Sequence, residues 1–277
     1  MFTRRAFIEG AALVAMSEHA LGATESGTED LVLIQSGQLP IILTAPHGGS
    51  LTVPGVAPRE VAGRPTTGGS SYVVGQDVGT ERLARGVAAQ IKAITHKDVF
   101  LVVARFHRKF IDANRAPAVA FDNAAAKPTY DRYHQAIRSF VDEIGSRFSA
   151  GMLLDLHAQK AFPDALVRGT HNGSTVTRLM ARAGVAAVTG PEGLFGQFER
   201  NGFRVLPGND VPPSGKNEDY TGFNGGHTTY RYGSHRPGGI DAAQCEFGRQ
   251  YLDKAELELS IRKAATAIAT FYRTHLA

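Results

Sequence analysis

Apolar residues along the chain come in short runs set between polar, glycine-rich stretches. "LVLIQ" at 31–35 and "PIILTA" at 40–45 predict two strands joined at the Ser36-Gly37 turn. "VFLVVARF" at 99–106 and "GMLLDLHA" at 151–158 are nearly continuous apolar runs, the mark of strands buried on both faces. A further strand is predicted at 240–247, "IDAAQCEF". Between the strands the spacing becomes helical. Leu83, Val87, Ile91 and Ile94 fall on one face of a helix from about Thr80 to Ile94. Tyr133, Ile137, Phe140, Val141, Ile144 and Phe148 do the same over 129–148. A short helix at 176–183 and a closing helix at 254–275, with Leu257, Ile261, Ile268 and Phe271 inward, complete the pattern. Alternating strands and helices predict an α/β fold, a mostly parallel sheet covered by helices on both faces.

Two stretches break this rhythm. Residues 46–76 are rich in proline and glycine, and a loop of that length in a compact domain usually serves a function. Residues 189–239 are rich in Gly, Pro and Asn and predict a long insertion around a site. No internal repeat or linker divides the remainder, so residues 24–277 are expected to form one catalytic domain. The first 23 residues read differently. Arg4 and Arg5 precede a short apolar stretch, Gly10 to Met16, and small residues at Ala20, Gly22 and Ala23. That is the plan of a cleaved signal peptide, and Thr3-Arg4-Arg5-Ala6-Phe7 resembles a twin-arginine export signal. A periplasmic or secreted protein is the expectation.

Composition narrows the chemistry. The 277 residues carry a formal charge of +4 with lysine and arginine scattered, which argues against a nucleic-acid partner. No run approaches the roughly 20 apolar residues of a membrane span. The one cysteine, Cys245, rules out an intramolecular disulfide and a cysteine-rich zinc site, and reads as a small buried residue. Any metal would need histidine and carboxylate ligands.

In open α/β sheets ligands bind beyond the carboxyl ends of the strands. Here His47 follows the strand at 40–45. His107, Arg108, Asp112, Asn114 and Arg115 follow 99–106. Asp155 and His157 close 151–158, and Glu246 closes 240–247. Two histidines and a carboxylate are a common catalytic zinc set. His47 and His157 are the candidate nitrogen ligands. Asp77 is the candidate third ligand, with Glu81 one turn further on as the alternative. Asp77 or Thr80 could instead cap the helix that starts there. Asp112 is placed to accept the second ring N–H of a ligating histidine. Arg108, Asn114 and Arg115 offer donors for a substrate carboxylate or an oxyanion, although Asp112 and Arg115 could simply pair. Glu246 suits a proton shuttle, with an ion pair to Arg249 as the bland alternative. Tyr232 is a candidate hydrogen-bond donor from the loop, and His227 and His235 are reserve ligands.

These pieces resemble a known family. "APHGG", "DVGTERLA", "RKFIDANR", "LLDLHA" and "GIDAAQCEFGRQYL", in that order between about residues 40 and 255, are similar to the N-formylglutamate amidohydrolases. The resemblance implies a zinc carboxypeptidase-like three-layer α/β/α sandwich around a mixed sheet. It implies zinc at His47 and His157, Asp112 behind a ligating histidine, the substrate carboxylate on Asn114 and Arg115, and roles for Arg108 and Glu246. His107-Arg108-Lys109 departs from the small or aromatic residues usual around that arginine, so the reaction class carries over better than the substrate. The expected activity is metal-dependent hydrolysis of an N-acyl amino acid or short peptide bearing a free carboxylate. The alternatives are a metallopeptidase of cell-wall or short peptides, and a non-catalytic binder of an anionic ligand.

Overall fold

The computed structural model describes residues 31–65, 71–211, 213, 218–220 and 222–277, and the export segment expected over 1–23 lies outside them. The strands are β1 (Val32–Gln35), β2 (Ile41–Ala45), β3 (Phe100–Ala104), β4 (Met152–Gln159), β5 (Ala165–Gly169), β6 (Arg204–Leu206) and β7 (Asp241–Gly248). The helices are α1 (Thr80–Thr95), α2 (Pro117–Ala120), α3 (Lys127–Arg147), α4 (Thr177–Ala183), α5 (Ala186–Thr189), α6 (Leu194–Arg200), α7 (His227–Tyr232), α8 (Arg249–Leu252) and α9 (Leu257–His275).

All seven strands join one mixed sheet in the order β1-β3-β2-β4-β7-β5-β6. β3, β2, β4 and β7 run parallel, while β1 and β5 pair antiparallel to their inner neighbours. The chain leaves β2 through α1 to β3 on one side, then returns through α3 to β4 on the other. The sheet order therefore reverses between β2 and β4, the position where α/β folds open a crevice for ligands.

The strand period of two divides each apolar run between two cores. Ile41, Leu43, Leu101, Val103, Leu154 and Cys245 face α1, α6 and α9, whose Leu83, Val87, Phe195, Phe198, Ile261 and Phe271 cover them. Ile42, Phe100, Val102, Leu153 and Ala242 face the other way, onto Tyr133, Ile137, Phe140 and Ile144 of α3. This is the α/β/α sandwich. Among the described residues no helix is long and apolar enough to cross a membrane.

The stretch read as an irregular insertion at 189–239 holds more order than expected. It supplies α6, the edge strand β6 and α7. β5, absent from the sequence reading, lies two helices upstream of it and pairs with both β6 and β7.

Candidate metal centre

The four parallel strands deliver their carboxyl ends to one edge. On β4 the side chains of Leu153, Asp155 and His157 share the α3 face, and on β7 Ala242, Gln244 and Glu246 share it too, since alternate residues point the same way. His157 is the register partner of Glu246. His47 stands two residues past the end of β2, beside β4.

After His47 the Gly48-Gly49 pair passes directly against protein backbone. A Cβ on Gly48 would lie 2.4 Å from the Glu81 nitrogen, and one on Gly49 would lie 2.1 Å from the Arg105 carbonyl carbon. Only glycine lets this segment thread between α1 and the end of β3.

Three sequence candidates converge. His157 Nδ1 lies 3.1 Å and His47 Nδ1 3.4 Å from the same oxygen, Asp77 Oδ2. His47, Asp77 and His157 form a group that could hold a metal ion. All three are largely buried. The Asp77 side chain does not cap α1. It turns to the histidines and accepts the Ala158 N–H at 3.3 Å, while the Thr80 hydroxyl donates to the Asp77 carbonyl. Glu81 faces elsewhere, with Arg85 at 3.6 Å and Arg105 at 3.7 Å.

The fit to a cation can be tested on one atom. His47 Nδ1 is buried and makes no hydrogen bond. Buried polar atoms are rarely left without a partner, and an orphaned imidazole nitrogen facing a carboxylate is a donor set suited to zinc. The opposite ring nitrogens are tied down. Asp112 Oδ1 lies 2.7 Å from His47 Nε2, and Asp155 Oδ2 lies 2.9 Å from His157 Nε2. A carboxylate accepting Nε2–H leaves Nδ1 with its lone pair for an ion. Asp155 is a residue the sequence reading placed at the strand end without giving it this role. Its position two before His157 puts both on one face of β4, which is the signal that was available.

Charge is arranged around this core. Burial works to raise the Asp112 carboxyl, but the Arg108 guanidinium and His47 hold it well below the usual carboxylate range. Arg108 reaches Asp112 Oδ2 with Nε and Nη2, both at 2.8 Å. Burial also works to raise Asp77, and the hydrogen bond with His157 together with the nearby His47 imidazole overcomes it to hold that carboxyl down. For His157 burial opposes protonation, yet Asp155 and Asp77 together raise it well above an ordinary histidine. Glu246 is pushed up to about 8, by burial first, with Asp77 and Asp155 adding to the rise. Gln244 Nε2 donates to Glu246 Oε1 at 3.0 Å.

The substrate-side candidates sit close by with part of their capacity engaged. Asn114 accepts the Thr228 N–H at 2.8 Å, and its Nδ2 lies 3.1 Å from His157 Nε2. Arg115 donates to Ser71 O, Ser71 Oγ and Asn114 O, which engages three of its N–H donors. It makes no ion pair with Asp112; Arg108 holds that place. Arg249 pairs at 3.9 Å with Asp253 rather than with Glu246.

The remaining candidates lie elsewhere. Tyr232 is fully buried and donates to the His134 carbonyl at 2.9 Å, so it is not a free donor over the site. His134 itself is held at about 3 by burial and by His227 and Arg231. His227, pushed down to about 4 chiefly by burial, packs its ring on His134, and His235 packs on Tyr230. Neither joins the His47–Asp77–His157 group. Cys245 is buried, as its sequence context indicated.

The fold and the edge cluster together define a sheet-edge His-Asp-His centre in an α/β/α sandwich. No family model and no curated protein matches the sequence. Solved structures do match. An N-formylglutamate amidohydrolase from Ralstonia eutropha JMP134 superposes with a TM-score of 0.53 at 17% identity, covering 88% of this chain and 98% of that one. A gene product from Agrobacterium tumefaciens superposes at 0.50 and 16% identity, covering 90% and 94%. At such identities the likeness is one of fold, and it is the fold of the family whose motifs the sequence resembles.

Proposed function

We propose that the protein is a metal-dependent hydrolase, with zinc at His47, Asp77 and His157, that cleaves the amide bond of an N-acyl or N-formyl amino acid, or of a short peptide, bearing a free carboxylate. One observation carries the reading: two imidazole Nδ1 atoms and a carboxylate oxygen face one another at the strand edge, beside Glu246. The fold shared with the solved N-formylglutamate amidohydrolase supports the choice of substrate class. Export by the twin-arginine route belongs to the same proposal and rests on Arg4 and Arg5.

A divalent ion bound there would act as a Lewis acid on the amide carbonyl and lower the pKa of water. The protein's own groups do the rest. Glu246 takes a proton from the attacking water and passes it to the leaving amine nitrogen, so the amide and water become a carboxylate and an amine. Its raised pKa suits exchange near neutral pH, where both protonation states are populated. Asp112 and Asp155 keep the two imidazoles in one tautomer and orientation. Arg108, Asn114 and Arg115 take the substrate carboxylate and the developing oxyanion. A guanidinium has five N–H donors. The bonds to Ser71 and Asn114 engage three of those on Arg115, which leaves donors for a carboxylate.

The deciding experiment couples metal analysis of the purified full chain to hydrolysis of a panel of N-formyl and N-acyl amino acids and short peptides. Stoichiometric metal and chelator-sensitive turnover of the acyl amino acids are expected. Turnover of peptides alone would favour the metallopeptidase alternative. Protein without metal and without turnover would leave a binder of anionic ligands.

A further inference from the structure

The edge of the sheet carries two polar rows on the α3 face. The upper row is His157 and Glu246. Beneath it, one register step down, Thr44, Asp155 and Gln244 lie side by side across β2, β4 and β7. All three are buried, Thr44 and Asp155 fully. Nothing in hydrophobic patterning asks for polar residues there, because the same face below them is Ile42, Leu153 and Ala242. A buried polar group without a hydrogen bond is costly, so each must answer another. Thr44 Oγ1 lies 2.5 Å from Asp155 Oδ1, and the Leu154 carbonyl is farther away at 3.5 Å. Thr44 carries a single hydroxyl proton, and the short contact assigns it to the carboxylate. The other oxygen of Asp155 meets His157 Nε2.

The contrast with the second histidine is informative. The carboxylate behind His47, Asp112, is gripped by the paired N–H groups of Arg108. The carboxylate behind His157 is gripped by a neutral hydroxyl from the neighbouring strand. An arginine at that position would neutralise Asp155 as well as orient it. A hydroxyl orients it and leaves its charge for the imidazole.

We infer that Thr44 is a positioning residue of the metal centre: its hydroxyl locks the rotamer of Asp155, which in turn presents His157 Nδ1 to the ion. The inference rests on the metal site proposed above, and it concerns binding of the ion rather than turnover. Outer partners of ligating histidines change metal affinity by about 10–100-fold when removed.

The test measures zinc affinity of the full chain by competition with a chromophoric chelator, and records the visible spectrum after loading with cobalt(II). Thr44→Val keeps the β-branched shape and removes the hydroxyl. Thr44→Ser keeps the hydroxyl and removes a methyl. The expected result is zinc affinity lowered by about 10-fold or more in Thr44→Val, with an altered cobalt spectrum, and near-native values in Thr44→Ser. A packing role would reverse that order, because Ser leaves the larger void. Equal affinity in wild type and Thr44→Val, or equal loss in both variants, overturns the inference. If Thr44→Val does not fold, Thr44→Ala against Thr44→Ser makes the same comparison. A wild-type chain that binds neither ion overturns the metal site itself, an outcome distinct from intact binding that ignores Thr44.

Discussion

His47 and His157 meet edge to face, with ring centroids 4.9 Å apart and planes at 64°, and both turn Nδ1 to one oxygen of Asp77. Two hydrogen-bonding rings could share a carboxylate in this way without any ion. Removing the carboxylate charge separates the cases. Asp77→Asn is expected to lower zinc affinity beyond the ~10–100-fold typical of outer partners. Glu81→Gln is expected to leave it unchanged, because Glu81 answers Arg85 and Arg105 instead. Metal titration of the two variants beside wild type checks both.

Glu246→Gln is expected to abolish turnover while the metal stays bound. The amide keeps the shape and can still accept from Gln244, but it cannot carry a proton between water and amine. Removing a general acid–base group typically costs about 100–10,000-fold. Parallel assays of rate and metal content decide it, and retained turnover would remove Glu246 from the mechanism.

The same residue sets a pH dependence of stability in the metal-free chain. Its pKa is about 8 folded, against an ordinary value of 4.5. Between those limits the folded state holds a proton that the unfolded chain has released. Stability from this group is full below the lower value and is lost as pH rises through the upper one. Glu246→Gln has no such proton to lose. Its stability relative to wild type should therefore rise through that window and level off above it. Urea midpoints taken below, within and above the window would show the trend, and a constant difference would contradict it.

Arg108→Met should destabilise the fold as well as the site. Asp112 is fully buried, and without Arg108 its nearest guanidinium in the ion-pair set is that of Arg59 at 3.8 Å. Breaking a buried pair by removing one partner costs about 3–5 kcal/mol. Denaturation without substrate measures this independently of catalysis.

Arg115→Lys tests the substrate side. Lysine loses the planar fork that rests on Ser71 and that the proposed function assigns to the substrate carboxylate. KM for an N-acyl amino acid should rise by about 10-fold or more, as expected for loss of over 1.4 kcal/mol of binding. The corresponding amino-acid amide, which has no carboxylate, should be little affected. A comparable KM rise for both substrates would assign Arg115 to loop support alone.

Much of this centre was legible in the chain. Buried strands announced themselves as apolar runs, and the polar residues at their ends pointed to one edge because β2, β3, β4 and β7 are parallel. What escaped notice has physical reasons. β5 contains Arg168, which breaks its apolar run yet is itself fully buried, reaching Asp219 at 3.6 Å. β6 is only three residues long, too short for alternation to register. The engagement of Arg115 by Ser71 joins residues 44 apart in sequence, across a loop with no periodic signal. Asp155 was the avoidable omission, since a carboxylate two residues before a candidate ligand on a strand must share its face.

The reversal of strand order between β2 and β4 has a consequence for assembly. His47 follows β2 and His157 lies on the neighbouring β4, yet the chain between them must build α1, β3 and α3 first. No emerging segment ending before residue 157 contains both imidazoles, and Glu246 arrives only with the last strand. Closing so long a loop is an entropic cost met late, when β4 docks. The His47–Asp77–His157 cluster is thus a readout of completed topology: a chain in which the three side chains meet has already paired its central strands.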